Sequence, residues 1–144
     1  MKRFFVIIFL LSSILMNAEI RTVNMRFVYV ANAAIAALSG DESIRQMQTM
    51  TAAGAIVEFD MDNSKITLKV PLLDEKEEFL VKEVYNSKEE CTNTYKCTLL
   101  NDQSEALIME VYQKNNKFII IAMPKHGIIF FVTDMTKNEL LNNS

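Results

Sequence analysis

Residues 55–70 read AIVEFDMDNSKITLKV, and the fold is decided there. Val57, Phe59 and Met61 alternate with Glu58 and Asp60; Ile66, Leu68 and Val70 then alternate with Thr67 and Lys69. A period of two puts one set of side chains on a buried face and the other in water, the signature of a half-buried strand. Asp62-Asn63-Ser64 between the two runs are residues that turns favour, so the stretch predicts a β-hairpin. Pro71 ends it, because proline has no N–H for a strand ladder.

Working outward, Val23, Met25, Phe27 and Tyr29 alternate within 20–30 and predict a first strand. Ala31 to Leu38 is alanine-rich and predicts a short helix stopped by Ser39-Gly40. Asp41 offers an N-cap carboxylate with Glu42 behind it, and Ile44, Met47 and Thr51, with Met50 beside them, share a helical face; a helix over 42–52 is expected. Beyond the hairpin, strands are expected near 78–86, 95–101, 106–113, 117–123 and 127–134, separated by short polar breaks. Short connections join neighbours. The expected fold is mainly β (β-rich α+β): an antiparallel meander of about 7–8 strands, a curled sheet or small barrel. One or two short helices lie between strand 1 and the first hairpin.

The chain has 144 residues, 50% of them hydrophobic and 23% charged, which suits one domain and excludes a disordered linker. At its start, Lys2 and Arg3 precede the uncharged run Phe4 to Met16; Asn17, Ala18 and the first acid, Glu19, follow. This is the pattern of a secretory signal peptide, with the cut expected after Ala18. The run is too short for a comfortable membrane span, which needs about 20 apolar residues. Residues 1–18 are thus expected to be a leader, and 19–144 a single β-rich domain without stable membrane insertion. Location in the periplasm, at the cell surface or outside the cell follows. A net charge of −3 argues against nucleic-acid partners, since neutralising phosphates needs a basic face.

The hairpin from Val57 to Leu68, with Asp60-Met61-Asp62-Asn63 and then Lys65-Ile66, resembles the "DxDN", lysine and isoleucine pattern of small exported bacterial β-meander proteins of uncharacterised function. The resemblance spans about residues 23–134 and implies a small β-sheet domain with no enzymatic activity and no catalytic residues to carry over. The tryptophan-rich segment often found before that hairpin is replaced here by Ala31 to Ala53.

Export gives Cys91 and Cys97 their reading: in an oxidising compartment, two thiols flanking a short polar loop are a disulfide candidate. Redox chemistry wants a C-x-x-C spacing, and zinc wants four ligands. His126, the one histidine, sits between Lys125 and Gly127 after Pro124 and reads as a solvated turn residue. Asp60, Asp62 and Ser64 begin like a calcium loop, but Lys65 and Leu72 stand where that loop needs glycine and glutamate. The acid pairs Glu77-Glu78 and Glu89-Glu90 read as solvated rims or strand ends, and the nine methionines as core filler. Tyr85, Tyr95, Tyr112, Phe130 and Phe131 could floor a sugar or lipid site but read as core. No catalytic residue, cofactor or metal site is expected.

The last two strands differ from the hairpin. Phe118 to Met123 and Ile128 to Val132 are apolar at every position. Both faces must therefore be covered: by residues 20–52, by closure of the sheet, or by a partner or an apolar ligand. Ile119, Ile121, Ile129 and Phe131 are the candidate partner or ligand face. The functional expectation is an exported non-catalytic binding or interaction module, with a protein partner or self-association. The alternative is a lipocalin-like carrier of an apolar small molecule.

Overall fold

A computed structural model describes residues 20–113 and 116–142; the expected leader lies outside them. Strands β1 (Arg21–Met25), β2 (Phe27–Asn32), β3 (Gln48–Thr51), β4 (Ala55–Asp60), β5 (Lys65–Val70), β6 (Glu75–Ser87), β7 (Thr92–Leu99), β8 (Glu105–Gln113), β9 (Asn116–Met123) and β10 (Ile128–Thr133) form one antiparallel sheet. Their order is β1-β4-β5-β6-β7-β8-β9-β10-β2-β3. Short helices α1 (Ala33–Ala36), α2 (Gly40–Gln46) and α3 (Lys137–Asn142) complete the fold. Among the described residues no helix is long and apolar enough to cross a membrane.

Among the described residues the count is ten strands rather than seven or eight, for a physical reason. Residues 21–32 and 48–60 are two long arms running antiparallel, with Arg21 opposite Phe59, Met25 opposite Ala55 and Val28 opposite Thr51. Each arm is broken once. Arg26 is a bend whose N–H donates to Asp134 Oδ1 (2.9 Å) and whose carbonyl accepts from Gly54 N–H (3.0 Å). Gly54 stands at φ +115°, a conformation that favours glycine and cuts the second arm into β3 and β4. Since β1 pairs with β4 while β2 pairs with β10 and β3, the bent first arm joins the two ends of the sheet. The result is a curled half-barrel.

The helix expected over 42–52 is corrected. Helix α2 ends at Gln46, Met47 leaves helical geometry (ψ 141°), and 48–51 pair with β2 instead. Thr49 and Thr51 are β-branched and suit a strand, and the pairing with β2 supplies partners that a helix end lacks. Asp41 and Glu42 do occupy the first turn of α2, where carboxylates suit the helix dipole.

Two cores follow from the curl. Inward side chains, among them Val57, Phe59, Ile66, Leu68, Phe79, Ile108, Ile119, Ile121 and Val132, form the main one. On the other side of β2 and β10, Phe27, Tyr29, Ala31, Met47, Met135 and Leu140 form a second, with Ile35, Ile44 and Phe131 packed on it. Helices α2 and α3 close over that face. Tyr29 donates to the Met135 carbonyl (2.9 Å), and Lys137 Nζ donates to the carbonyls of Arg45 and Met47 at the end of α2. Thr136 and Glu139 cap α3 reciprocally, each side chain accepting from the other's backbone N–H.

Candidate functional site

The chemistry-bearing residues gather at the end of the half-barrel where β1 begins. Along β8, Ala106, Ile108 and Glu110 alternate inward, so the strand's own periodicity turns a carboxylate toward the core. Its side chain has 0% exposure, and an unpaired charge there would cost several kcal/mol, about the penalty of taking an ion out of water. The fold supplies its partners. Arg21 on β1 forms a bidentate pair, Nη1 to Oε2 at 2.9 Å and Nη2 to Oε1 at 2.7 Å. Tyr95 on β7 donates to Oε1 (2.6 Å), Lys117 on β9 reaches Oε2 (2.9 Å), and Tyr112 donates to Oε2 (3.2 Å).

Burial pushes the Glu110 carboxyl up, but the hydrogen bonds from Arg21, Tyr95 and Lys117 outweigh it and hold the group at about 2. Burial, and then the bond to Glu110, pushes the Tyr95 phenol up, so it stays a donor at neutral pH. The Arg21 guanidinium lies over the Phe59 ring (4.0 Å), and Lys117 Nζ over the Tyr112 ring (5.0 Å), within cation–π range. Arg21 and Lys117 stay 45% and 23% exposed, so two cations look outward from a carboxylate that does not. A groove of about 470 Å³, lined by Asn86, Ser87, Lys88, Cys91, Thr92, Asn93 and Tyr112, opens beside this cluster.

The sequence reading noticed Tyr95 and Tyr112 only as aromatics and missed Arg21, Glu110 and Lys117. The available signal was a glutamate at an inward position of an otherwise apolar strand, which demands partners.

The second feature lies outside the sheet. Leu107, Met109 and Val111 of β8, Phe118, Ile120 and Ala122 of β9, and Ile129 and Phe131 of β10 all point outward and are half-buried. They are cross-strand neighbours: Met109 faces Ile120, which faces Phe131, while Phe118 stacks on Phe131 at 5.0 Å. The four-residue face expected from sequence therefore divides. Ile119 and Ile121 have 0% exposure and belong to the main core, whereas Ile129 and Phe131 lie on the opposite face. The second core covers Phe131, but its cover does not extend across β8 and β9.

The disulfide expectation is corrected. Cys91 is an exposed free thiol in a left-handed turn (φ 53°), and Cys97 is a buried free thiol in the main core. The extended run Thr92 to Cys97 separates them by on the order of 16 Å, whereas a disulfide needs Cα atoms within about 7 Å. Burial pushes the Cys97 thiol up to about 12.

His126 ends a 3₁₀ turn over Pro124–His126, with Nε2 2.8 Å from Asp102 Oδ2. Ser104 donates its hydroxyl (2.6 Å) and its N–H (2.9 Å) to Asp102 Oδ1. These two bonds, with His126 adding to them, hold Asp102 at about 2. The same ring nitrogen that meets the carboxylate is 3.5 Å from Ser104 Oγ, so histidine and serine both serve the aspartate. A nucleophilic triad needs the two ring nitrogens to take separate partners. This cluster ties the β7–β8 loop to the β9–β10 turn. Asp60 accepts from the Asn63 side chain (2.8 Å), closing the β4–β5 turn on itself. Glu77 and Glu78 are neighbours on β6 and point to opposite faces, and Glu78 pairs outward with Lys65 and Lys76. Tyr85 is exposed on β6, while Phe130 is core. Among the described residues no three His, Cys, Asp or Glu side chains converge as a metal site requires. No known protein family, curated protein or solved structure matches this chain.

Proposed function

We propose that this chain is an exported, non-catalytic binding module that meets a protein partner, another protein or a second copy of itself, through the outer face of β8–β10. The observation that carries this reading is the uncharged block from Leu107 to Phe131 described above: eight apolar side chains in cross-strand contact, only partly covered by the molecule's own helices. A contiguous apolar patch on a folded domain is more often an interaction surface than an accident of composition. The apolar-to-polar contrast supports it, since the outer face of β4–β6 carries Glu58, Lys65, Lys69, Lys76 and Glu78 in ion pairs. The leader pattern at residues 1–18 supports export. A carrier of an apolar ligand needs interior volume, and here Phe59, Phe79, Ile108, Ile119 and Ile121 fill the inward positions.

The test is a photo-crosslinking amino acid placed at Met109 in the exporting cell, with Lys69 on the charged face as control. A discrete protein adduct at 109 and none at 69 supports the reading. Equal yields at the two positions, or none at 109, overturns it.

A further inference from the structure

The cluster at the mouth is over-provided with donors. An ionised carboxylate has about four lone-pair sites. Glu110 receives five contacts: two from Arg21 and one each from Tyr95, Tyr112 and Lys117. Charge is over-provided too, since two cations face one anion. Arg21 carries five N–H groups and Lys117 three, and Glu110 uses only some of them. The rest belong to side chains that remain partly exposed. Both cations are held in place by a buried group and by aromatic rings, so little ordering would remain to be done when an anion arrives.

We propose that Arg21, Lys117 and Tyr112 form a binding site for a carboxylate-bearing ligand, with Glu110 as the buried positioning residue that fixes both cations. The groove beside Tyr112 gives the ligand somewhere to lie. Its walls include Asn86, Asn93 and Lys88, whose side chains can pair with amides or acids of a ligand extending from the carboxylate. A net excess of one positive charge suits a monoanion, and guanidinium and ammonium groups are the ordinary recognisers of carboxylates. This site lies away from the β8–β10 outer face and stands or falls independently of it.

The experiment is an NMR titration of the mature chain with acetate, with sodium chloride at matched ionic strength as control, following the Arg21 side-chain Nε–H and the amides of residues 21–23, 110–112 and 117. Acetate should shift these signals saturably, and chloride should not. Lys117→Gln should bind about tenfold or more weakly, the loss of one charge-assisted contact. Tyr112→Phe, which keeps the ring over which Lys117 sits, should bind a few-fold more weakly. Lys125→Gln, at the opposite end of the sheet, should leave binding unchanged. Tetra-alanine with a free or an amidated C-terminus then identifies the source of the carboxylate. If the free form binds more tightly than acetate and the amide does not bind, the ligand is a peptide terminus. If the free form binds no better than acetate, it is a small free acid. Should Lys117→Gln fail to fold, Tyr112→Phe decides alone. Shifts that never saturate, that spread equally over the other lysines, or that persist unchanged in a folded variant overturn the proposal.

Discussion

Glu110 and Glu78 are each met by two cations, Arg21 and Lys117 in one case and Lys65 and Lys76 in the other. Their surroundings differ: the Glu110 side chain has 0% exposure, whereas that of Glu78 keeps 18% and its lysines 36% and 55%. Water already solvates the Glu78 group, so its pairs replace good hydration with modest attraction. Around Glu110 the protein has taken over that role entirely. Two clusters of the same formula thus do different jobs. One decorates a wet face, and the other ties β1 to β7, β8 and β9.

The comparison can be broken at several points. Glu110→Ala leaves Arg21 and Lys117 facing each other without a counter-charge and Tyr95 without its acceptor; it should cost about 3–5 kcal/mol in urea unfolding. A loss below about 1 kcal/mol would mean the cluster is no tighter than the surface one. Phe59→Ala removes both a core side chain and the ring beneath Arg21, and about 3–5 kcal/mol is expected from the same measurement. Acid sharpens the contrast. The folded-state value of Glu110 is held at about 2, below its ordinary 4.5. The native state therefore binds fewer protons than the unfolded chain across that window. The stability is fully present above about pH 4.5 and is lost as pH falls toward 2, up to on the order of 3 kcal/mol. In Glu110→Gln the acid limb should be shallower, leaving the part due to Asp102, which is also depressed. Glu78→Ala should cost only about 0.2–1 kcal/mol, and less in high salt. The smallest effect is expected from reductant. With both cysteines free and far apart, melting of the mature chain should be the same with and without it; a reductant-dependent drop would restore the disulfide.

The hairpin was legible because its signal is local. Val57, Phe59, Ile66 and Leu68 are inward for the same reason that they alternate, and Asp60 with Asn63 closes the turn between them. The later strands were legible from their polar breaks, to within a few residues. Residues 48–51 were not. Ile44, Met47 and Thr51 fit a helical face, but pairing with β2 takes the chain at Gln48, so Ile44 and Met47 reach the second core and Thr51 joins a strand. The partner face was half legible. Apolar character at every position announces two buried or contacting faces, yet cannot say that Ile119 and Ile121 look inward while Ile129 and Phe131 look out.

Alternation and turn chemistry, written into neighbouring residues, determined that this chain is an antiparallel β meander with a hydrophobic interior. Pairings across distance decided the rest. The bent arm 21–32 spans both ends of the sheet, and Arg21 meets Glu110 from 89 positions away. A one-residue shift in strand register would turn that carboxylate to the solvent. Periodicity is a property of a few adjacent side chains, whereas the curl and the charged mouth exist only once every strand has found its neighbour.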